Sequence, residues 1–413
     1  MMTRRIFLKN GSLALVSLGF TPAFIARAAQ AAQARKKILV AVFQRGAVDG
    51  LNMIVPFGEK AYYDARPSIA IPRPNQADGA IDLDGFFGMH PRMAPLASSF
   101  QRGELAIVHA SGSHDDTRSH FDAQDYMESG TPGRKSTRDG WMNRYLQHKQ
   151  EHEQKSTPFR AVALTQAMPR TLQGNAPALA IGRLGQFGIR AGRDGDVMAS
   201  GFEAQYAQAA DALLGSTGRE AFDAIKMMQD ANPGGYAPAN GAEYPTSGFG
   251  EAMKQIAQVV KADLGLEVAF AELGQWDHHA NEGASTGQIA NRLNDFSRGL
   301  AAFAQDLGDR MADVVVVTMS EFGRTVRENG NRGTDHGHGN AMLILGGNVQ
   351  GGKVYGRWPG LDRDQLWQGR DLAITTDFRD VFAECVTGHL GATDVAPIFP
   401  GYEYKQKLGF LKA

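Results

Sequence analysis

The sequence contains one cysteine, Cys385, among its 413 residues. A single thiol cannot form an internal disulfide, so we expect a fold that is not stabilised by disulfide bonds. Cys385 lies in the largely apolar segment 381–386. This pattern predicts a buried helix face, on which the thiol serves core packing.

The chain also has almost no net charge, with 43 Lys+Arg against 44 Asp+Glu. Residues 1–28 hold four basic and no acidic side chains, so the rest of the chain has 39 basic and 44 acidic ones, a net charge of −5. A mildly acidic body argues against nonspecific binding to nucleic acid. We therefore expect no nucleic-acid partner.

Long hydrophobic runs are missing beyond the N-terminal segment. No later stretch stays apolar for the roughly 18 residues that a membrane helix requires, so we expect no stable membrane span. The hydrophobic share of 43% is ordinary for a globular protein. The length suffices for one large α/β domain with insertions or for two domains.

The N-terminus has the pattern of a targeting segment. Residues 3–9 (TRRIFLK) place two arginines before an apolar residue, a Phe-Leu pair and a lysine. A mildly apolar stretch and the small-x-small sequence 26–28 follow. We expect residues 1–34 to be a twin-arginine signal peptide and linker, with export by the twin-arginine translocase to the periplasm or the medium. A membrane anchor is the alternative, but the apolar run is short and Pro22 interrupts it.

Apolar runs alternate with helical patterns over the rest of the chain. Strands are predicted at 37–43, 105–110, 160–165, 178–182, 266–273, 313–319 and 341–345. Helices are predicted from near Ser119 and over 203–230, 250–263, 285–308 and 377–390, with a linker at 231–249. The pattern predicts one α/β domain over 35–413 with insertions at about 140–260. Its largely parallel or mixed central sheet would be covered by helices on both faces.

Potential ligand residues collect directly after predicted strands. They are Arg45 and Asp49, then His114, Asp115, Asp116, Ser119 and His120, then Asp277, His278 and His279, then Glu321 and Arg324, and finally Asp335, His336 and His338. Ligands of open α/β sheets bind at the carboxyl ends of the strands. A mixture of carboxylates and imidazoles suits Zn²⁺ or Mn²⁺.

Several of these residues also have a purely structural interpretation. The pair Asp49-Gly50 could form a turn. Ser119 could cap the following helix, although a nucleophile at a helix N-terminus would also gain from the positive potential there. The loop 335–339 is the most suggestive, because its glycines permit close backbone approach beside an Asp-His pair.

Five ordered segments carry a resemblance to a known family. They are 45–52 (RGAVDGLN), 118–125 (RSHFDAQD), 274–279 (GQWDHH), 320–325 (SEFGRT) and 333–337 (GTDHG). They resemble the elements of the domain-of-unknown-function 1501 family, which is composed mostly of twin-arginine-exported bacterial proteins. That family is similar in fold to the alkaline phosphatase and sulfatase superfamily.

The resemblance implies a three-layer, alkaline-phosphatase-like domain with one or two divalent metal ions at the strand ends. It places Ser119 in the nucleophile position. The implied metal ligands are Asp49, Asp277, His279, Glu321, Asp335 and His336. The sequence departs from the superfamily at Phe322, which follows Glu321 where an adjacent histidine is usual. Cys385 is not in a Cys-x-Pro-x-Arg context, so a formylglycine sulfatase is not expected.

These observations lead to a functional hypothesis with two alternatives. The leading hypothesis is an exported metal-dependent hydrolase of phosphate or sulfate esters from small molecules or polymers. Ser119 would attack the ester, while Arg45 or Arg324 would hold its oxygens. The first alternative is an exported binding or assembly protein that kept the fold without the chemistry. The second is a metal-dependent mutase or lyase on the same scaffold.

Overall fold

The computed structural model describes residues 36–150, 158–184, 236–405 and 407–412. The predicted signal peptide and the predicted helix at 203–230 lie outside the described residues. The predicted insertions at about 140–260 lie only partly within them. The chain divides into two units, Met1–Lys36 and Lys37–Ala413. The fold described below belongs to the second unit.

The described part of the chain forms a nine-stranded sheet and a three-stranded sheet. The strands are β1 Ile38–Gln44, β2 Ile54–Val55, β3 Ile81–Asp82, β4 Gly88–Met89, β5 Leu105–Gly112, β6 Ala161–Ala163, β7 Leu179–Ala180, β8 Val268–Leu273, β9 Val314–Met319, β10 Asn340–Gly346, β11 Lys353–Tyr355 and β12 Thr376–Asp377. The large sheet has the order β11-β5-β10-β9-β1-β8-β6-β7, and β12 pairs with β5. The small sheet has the order β2-β4-β3.

Strand β10 runs against the other strands of the large sheet. β1 pairs in parallel with β8 and β9, whereas β10 is antiparallel to both β9 and β5. The carboxyl ends of β1, β5, β8 and β9 therefore meet at one edge. The amino end of β10 lies at that same edge, so the loop that precedes β10 joins the loops that follow the other four strands.

Helices cover the sheet on both faces. The α-helices are Gly50–Met53, Lys60–Ala65, Ala97–Gln101, His120–Ser129, Trp141–Gln150, Gly248–Lys261, Gln288–Leu307 and Phe378–Glu384. Short 3-10 helices occupy Pro91–Leu96, Pro158–Arg160, Arg170–Leu172 and Gly308–Asp313, and a π-helix occupies Cys385–His389.

Alternate residues of β1 belong to two different hydrophobic cores. Val40 and Val42 pack in the core that contains the helices Gly248–Lys261 and Gln288–Leu307. Ala41 and Phe43 pack in the core that contains Trp141 and Phe382. Because side chains alternate between the faces of a strand, helices lie on both sides of the sheet. The predicted three-layer α/β architecture with a mixed sheet is confirmed.

The one cysteine is fully buried in this second core, as predicted. Burial raises the pKa of the Cys385 thiol well above its usual range, which favours the unreactive form. None of the helices in the described ranges combines the length and apolar character that a membrane crossing demands.

Candidate metal centre

Three segments from different strands bring potential ligands together at the common sheet edge. His120 begins the helix after β5, Asp277 follows β8, and His336 lies in the loop before β10. Each of the three offers a ligand atom, and these atoms lie within 4.8 Å of one another. Because β10 is antiparallel to β5 and β9, the loop before β10 lies at the same sheet edge as the loops after β5 and β8. His336 therefore meets His120 and Asp277.

The side chain of His279 joins this group. Its Nε2 lies 3.0 Å from Oδ1 of Asp277 and 3.0 Å from Nε2 of His336. Nε2 of His336 lies 3.2 Å from the same Asp277 oxygen, and Nε2 of His120 lies 3.3 Å from Asp277 Oδ2. Three imidazole nitrogens therefore surround one carboxylate. We call His120, Asp277, His279 and His336 the metal-site cluster.

Each imidazole of the cluster is fixed through its other nitrogen. Nδ1 of His120 lies 2.8 Å from Glu321 Oε1, and Nδ1 of His279 lies 3.1 Å from Asp335 Oδ1. Nδ1 of His336 lies 2.8 Å from the carbonyl oxygen of Arg118. Because carboxylate and carbonyl oxygens only accept, the proton belongs on Nδ1 in all three rings. In the neutral rings the Nε2 lone pairs then face the Asp277 carboxylate, where a cation between them would be bound by both, an arrangement typical of metal-binding histidines.

Glu321 is an orienting group for His120. Its carboxylate is buried, and Oε1 also accepts hydrogen bonds from Gln124 Nε2 and the Gly46 amide, both at 2.8 Å. Burial alone would raise the pKa of Glu321, but the hydrogen bonds from His120 and Gln124 outweigh it and lower the pKa. In turn the hydrogen bond to Glu321 raises the pKa of His120. The sequence predicted Glu321 as a ligand; the structure instead places its carboxylate behind an imidazole.

His120 belongs to the cluster, but it is absent from the set of metal ligands predicted from the sequence. In the sequence, Glu321 is followed by Phe322 and not by a histidine. In the structure, the imidazole beside Glu321 comes from His120. His120 and Gln124 are four residues apart on one helix, so both reach the same carboxylate. That spacing, directly after the Ser119 cap, is the signal that could have revealed it.

Arg324 fixes the carboxylate at the middle of the cluster. The arginine is 2% exposed, and its Nη1 donates to Asp277 Oδ1 at 2.7 Å. Its Nε donates to Thr334 Oγ1 at 3.1 Å, and its Nη2 donates to the Thr334 carbonyl. Burial opposes ionisation of Asp277, but Arg324 outweighs it and holds the pKa of Asp277 below its ordinary value. The guanidinium of Arg324 therefore binds Asp277 and Thr334. The sequence predicted that it would contact the oxygens of a substrate.

Asp49, predicted as the ligand after β1, lies apart from the cluster. Its carboxylate caps the helix Gly50–Met53 and forms a buried ion pair with Arg66. Burial opposes the charge, but Arg66 outweighs it and lowers the pKa of Asp49. Burial and the nearby Asp49 raise the pKa of Glu282, which favours its protonated form. The role of Asp49 is thus to balance a buried arginine.

The predicted nucleophile and the second predicted arginine also have structural partners. Ser119 caps the helix His120–Ser129, with its Oγ 3.5 Å from the amide of Asp122. The guanidinium of Arg45 pairs with Glu128 at 2.9 Å and with Glu272. Arg45 is therefore tied to two carboxylates, whereas Ser119 remains half-buried beside the cluster residue His120.

Asp335 contributes from outside the cluster. Its side chain is 55% exposed, and Oδ1 accepts from Asn329 Nδ2 at 3.1 Å as well as facing His279. The hydrogen bond from Asn329 and the contact with His279 lower the pKa of Asp335 despite some burial. Of the six predicted ligands, Asp277, His279 and His336 meet in the cluster, Asp335 and Glu321 orient imidazoles, and Asp49 lies elsewhere.

The donor set suits a divalent cation of the zinc type. Three imidazole nitrogens and one carboxylate oxygen are ligands that Zn²⁺ and Mn²⁺ accept. Nε2 of His120 is buried, has no hydrogen bond of good geometry within the described residues and lies 3.3 Å from Asp277 Oδ2, so a cation bound between these two atoms would satisfy both. The side chains of Asp277 and His279 are 41% and 45% exposed, so a small ligand can reach the cluster from solvent.

The orienting role of Glu321 has a measurable consequence. In a Glu321→Gln variant, the hydrogen-bond acceptor remains but its negative charge is lost, so His120 becomes a weaker base and a weaker ligand. We expect metal affinity to fall by about 10- to 100-fold. Competition with a chromophoric zinc chelator measures this change. Asp335→Asn is the matched control at a more exposed position, and we expect it to lower metal affinity less. Equal metal affinity of the wild type and Glu321→Gln would contradict the orienting role of Glu321.

Comparison with known proteins identifies the family. Residues 36–397 match the family described as Protein of unknown function (DUF1501). The match spans most of the chain, so the protein belongs to this family, and the resemblance of its five segments is confirmed. No curated protein sequence matches the chain significantly.

One solved structure with a low overall similarity is the C-terminal periplasmic domain of EcEptC from Escherichia coli, in complex with Zn. It shares 10% sequence identity with this chain, and the alignment covers 76% of this chain and 73% of that domain, with a TM-score of 0.36. At this TM-score, the similarity supports no inference about the activity or metal of the present chain.

Proposed function

We propose that this protein is a metal-dependent hydrolase of phosphate or sulfate esters whose divalent cation, Zn²⁺ or Mn²⁺, is held by the metal-site cluster. The observation that carries the proposal is the common orientation of three imidazoles. Each is bound at Nδ1 by an oxygen and directs Nε2 toward the carboxylate of Asp277. Hydrogen bonding alone does not require three such nitrogens to converge on one point.

A divalent cation bound there would act as a Lewis acid toward the oxygens of an ester. The side chains of the chain prepare the site in two ways. Glu321, Asp335 and the Arg118 carbonyl hold the rings in one tautomer. Arg324 holds Asp277 in its ionised form and in a fixed orientation. Little reorganisation is then needed when a ligand arrives.

Ser119 is the nucleophile that this proposal assigns. Its Oγ would attack the phosphorus or sulfur atom, the ester oxygen would leave with a proton, and water would later release the group from the serine. Its position supports this role, because it directly precedes His120 at the start of a ten-residue helix whose N-terminal amides favour developing negative charge. The hydrogen bond from the Asp122 amide, at 3.5 Å, is long enough to yield to a substrate.

A Ser119→Ala variant tests the assignment. Metal content should stay unchanged, because Ser119 is outside the cluster, while kcat should fall by about 10³-fold or more, as expected when a nucleophile is removed. Steady-state kinetics on an aryl phosphate and an aryl sulfate, with elemental analysis of the same samples, measure both quantities. Ser119→Thr retains a hydroxyl and serves as the control. An unchanged kcat in Ser119→Ala would mean that Ser119 is not the nucleophile and that water attacks the ester directly.

The non-catalytic alternative has support of its own. Both arginines that the sequence assigned to substrate oxygens, Arg45 and Arg324, have carboxylate partners, and Ser119 has a capping role. A protein that binds stoichiometric metal and ester analogues but turns over neither phosphate nor sulfate esters would be a binding protein. Elemental analysis of the purified protein with a panel of both ester classes separates the two functions.

Export to the periplasm or the medium is part of the same proposal. It rests on the residues 3–9 (TRRIFLK) and on the apolar stretch and small-x-small sequence that follow. The twin-arginine translocase would be the partner during export, and an ester of a small molecule or a polymer would be the substrate.

A further inference from the structure

Two exposed aromatic side chains belong to segments next to residues of the metal-site cluster. Among the described residues, the large hydrophobic side chains on the surface are Phe121, which is 89% exposed, and Trp367, which is 41% exposed. Phe121 directly follows His120, and Trp367 stacks on His338, two residues beyond His336, at 5.0 Å and 18°. Exposure alone needs no explanation, but an indole that is stacked in place beside a segment of the cluster can offer its free face to a flat ligand.

Trp367 is held in place by a tight turn. Its amide donates to the Asp371 carbonyl at 2.8 Å, and the Asp371 amide donates back at 3.0 Å. Within the turn, Gln368 and Gly369 have positive φ values of 54° and 64°. The turn is joined through a backbone bridge between Asp371 and Thr325 to the segment that carries Arg324. The indole is therefore preorganised relative to the cluster, with one face against His338.

Two arginines lie beside this turn and border His336. Arg118 accepts the Nδ1 contact of His336 through its carbonyl oxygen, and Arg370 Nη2 donates to the His336 carbonyl at 2.7 Å. Both guanidinium groups contact the fully buried carboxylate of Asp371, at 2.9 Å from Arg118 and at 2.9 and 3.0 Å from Arg370. Gln368 accepts a further hydrogen bond from Arg118 at 3.1 Å.

These two arginines retain binding capacity. The two guanidinium groups share the single carboxylate of Asp371. Their side chains are 34% and 43% exposed, for Arg118 and Arg370 respectively. Guanidinium groups with free donors are well suited to the oxygens of a phosphate or a sulfate.

We propose that Arg118, Arg370 and Trp367 form a substrate-binding wall for an anionic ester whose leaving group contains a ring. The arginines bind the phosphate or sulfate oxygens, in place of Arg45 and Arg324, and the ring stacks on the indole. The inference rests on the proposed function, because it identifies the substrate class of the same site. The indole favours a ring over an alkyl chain, because a flat partner covers more of its face.

Binding of non-hydrolysable analogues tests the wall without any turnover. The probes are phenylphosphonate against methylphosphonate, and benzenesulfonate against methanesulfonate, titrated calorimetrically into the metal-loaded protein. The ring-bearing member of the recognised pair should bind about three- to tenfold more tightly than its methyl counterpart, as expected for one stacking contact. The pair that binds shows whether the anion is of the phosphate or the sulfate type.

Two variants separate the contributions of the wall. Trp367→Ala should remove the preference for the ring and leave the methyl probe unchanged. Arg370→Gln should weaken both members of the pair by about tenfold or more, as expected for loss of a charged hydrogen bond. Arg363→Gln, at an exposed arginine just before the same turn, is the matched control and should change neither. A ring preference that survives Trp367→Ala, or unchanged binding in Arg370→Gln, would overturn the wall.

Tryptophan fluorescence of the wild-type protein gives a readout that needs no variant. Trp141 and Trp276 are fully buried and Trp358 is partly buried, whereas Trp367 is exposed, so we expect iodide to quench Trp367 most strongly. Phenylphosphonate or benzenesulfonate should protect this tryptophan from iodide quenching, and the matching methyl probe should protect it less. Absence of any protection would contradict the wall. Metal content is measured on the same samples. A protein that binds no metal would refute the proposed function, whereas the binding of the probes tests separately whether Arg118, Arg370 and Trp367 form the substrate-binding wall.

Discussion

Replacing His120 by alanine should lower the zinc content of the purified protein from about one equivalent per chain to almost none, since it removes one of few ligands. The loss should be nearly complete because His120 supplies one of the three imidazole nitrogens that surround the Asp277 carboxylate. Elemental analysis after extensive dialysis measures the content. The fold should persist, because the imidazole is at the start of a helix whose cap, Ser119, remains.

Two controls make this result decisive. His114→Ala removes an exposed imidazole from the loop after the same strand and should retain the zinc. Asp49→Asn removes the carboxylate that the sequence predicts as a ligand and should also retain it, because Asp49 pairs with Arg66. Zinc retained in His120→Ala but lost in Asp49→Asn would show that Asp49 binds the metal, as the sequence predicts, and that His120 does not.

Replacing Arg66 by methionine should destabilise the protein by about 3–5 kcal/mol, as found when one partner of a buried ion pair is removed. Arg66 is fully buried and donates to Asp49, to Asn52 Oδ1 at 2.8 Å and to the carbonyl oxygens of Thr325 and Val326, both at 2.9 Å. Without it, an ionised Asp49 would remain buried beside Glu282. The free energy of unfolding in urea measures the loss.

A double variant shows whether the cost arises from the unpaired charge. Asp49→Asn together with Arg66→Met removes both charges, so it should be less destabilised than the sum of the two single variants. Zinc content should remain near that of the wild type in every variant that folds. Additive effects of the two substitutions would mean that the side chains contribute independently and that their ion pair has little importance for stability.

The sequence predicted the central strands well because they are buried on both faces. β1, β9 and β10 consist almost entirely of apolar residues, as expected for interior strands of an α/β sheet. Shorter elements were less accurate. The strand predicted at 160–165 spans only Ala161–Ala163, since Arg160 belongs to a 3-10 helix and pairs with Glu267.

The helix predicted over 377–390 also changes character along its length. It is α-helical over Phe378–Glu384 and becomes a π-helix over Cys385–His389. Glu384 is buried and accepts hydrogen bonds from the amides of Leu408, Gly409 and Leu411. These partners lie more than twenty residues away, so the periodicity of the local sequence does not contain this contact.

The segments of the site were predictable, but the roles of their residues were not. The loops that meet at the sheet edge are the ones marked in the sequence by polar residues after apolar strands. Whether a carboxylate binds a cation or orients a ring depends on its direction, and Glu321 is directed at His120, a residue from another segment. Similarly, the partner of Asp49 is Arg66, and no sequence motif marks that pair.

The reversed direction of β10 also determines when the cluster can form during folding. β10 lies between β9 and β5, which are far apart in the sequence, and it carries the loop with His336 to the common edge. We therefore expect His120 and His336 to approach each other only after this nonlocal strand pairing, which requires long loops to close. If the cluster binds a cation, we expect this capacity to arise late in folding, so metal uptake by a folding chain would report that β10 has paired with β5 and β9.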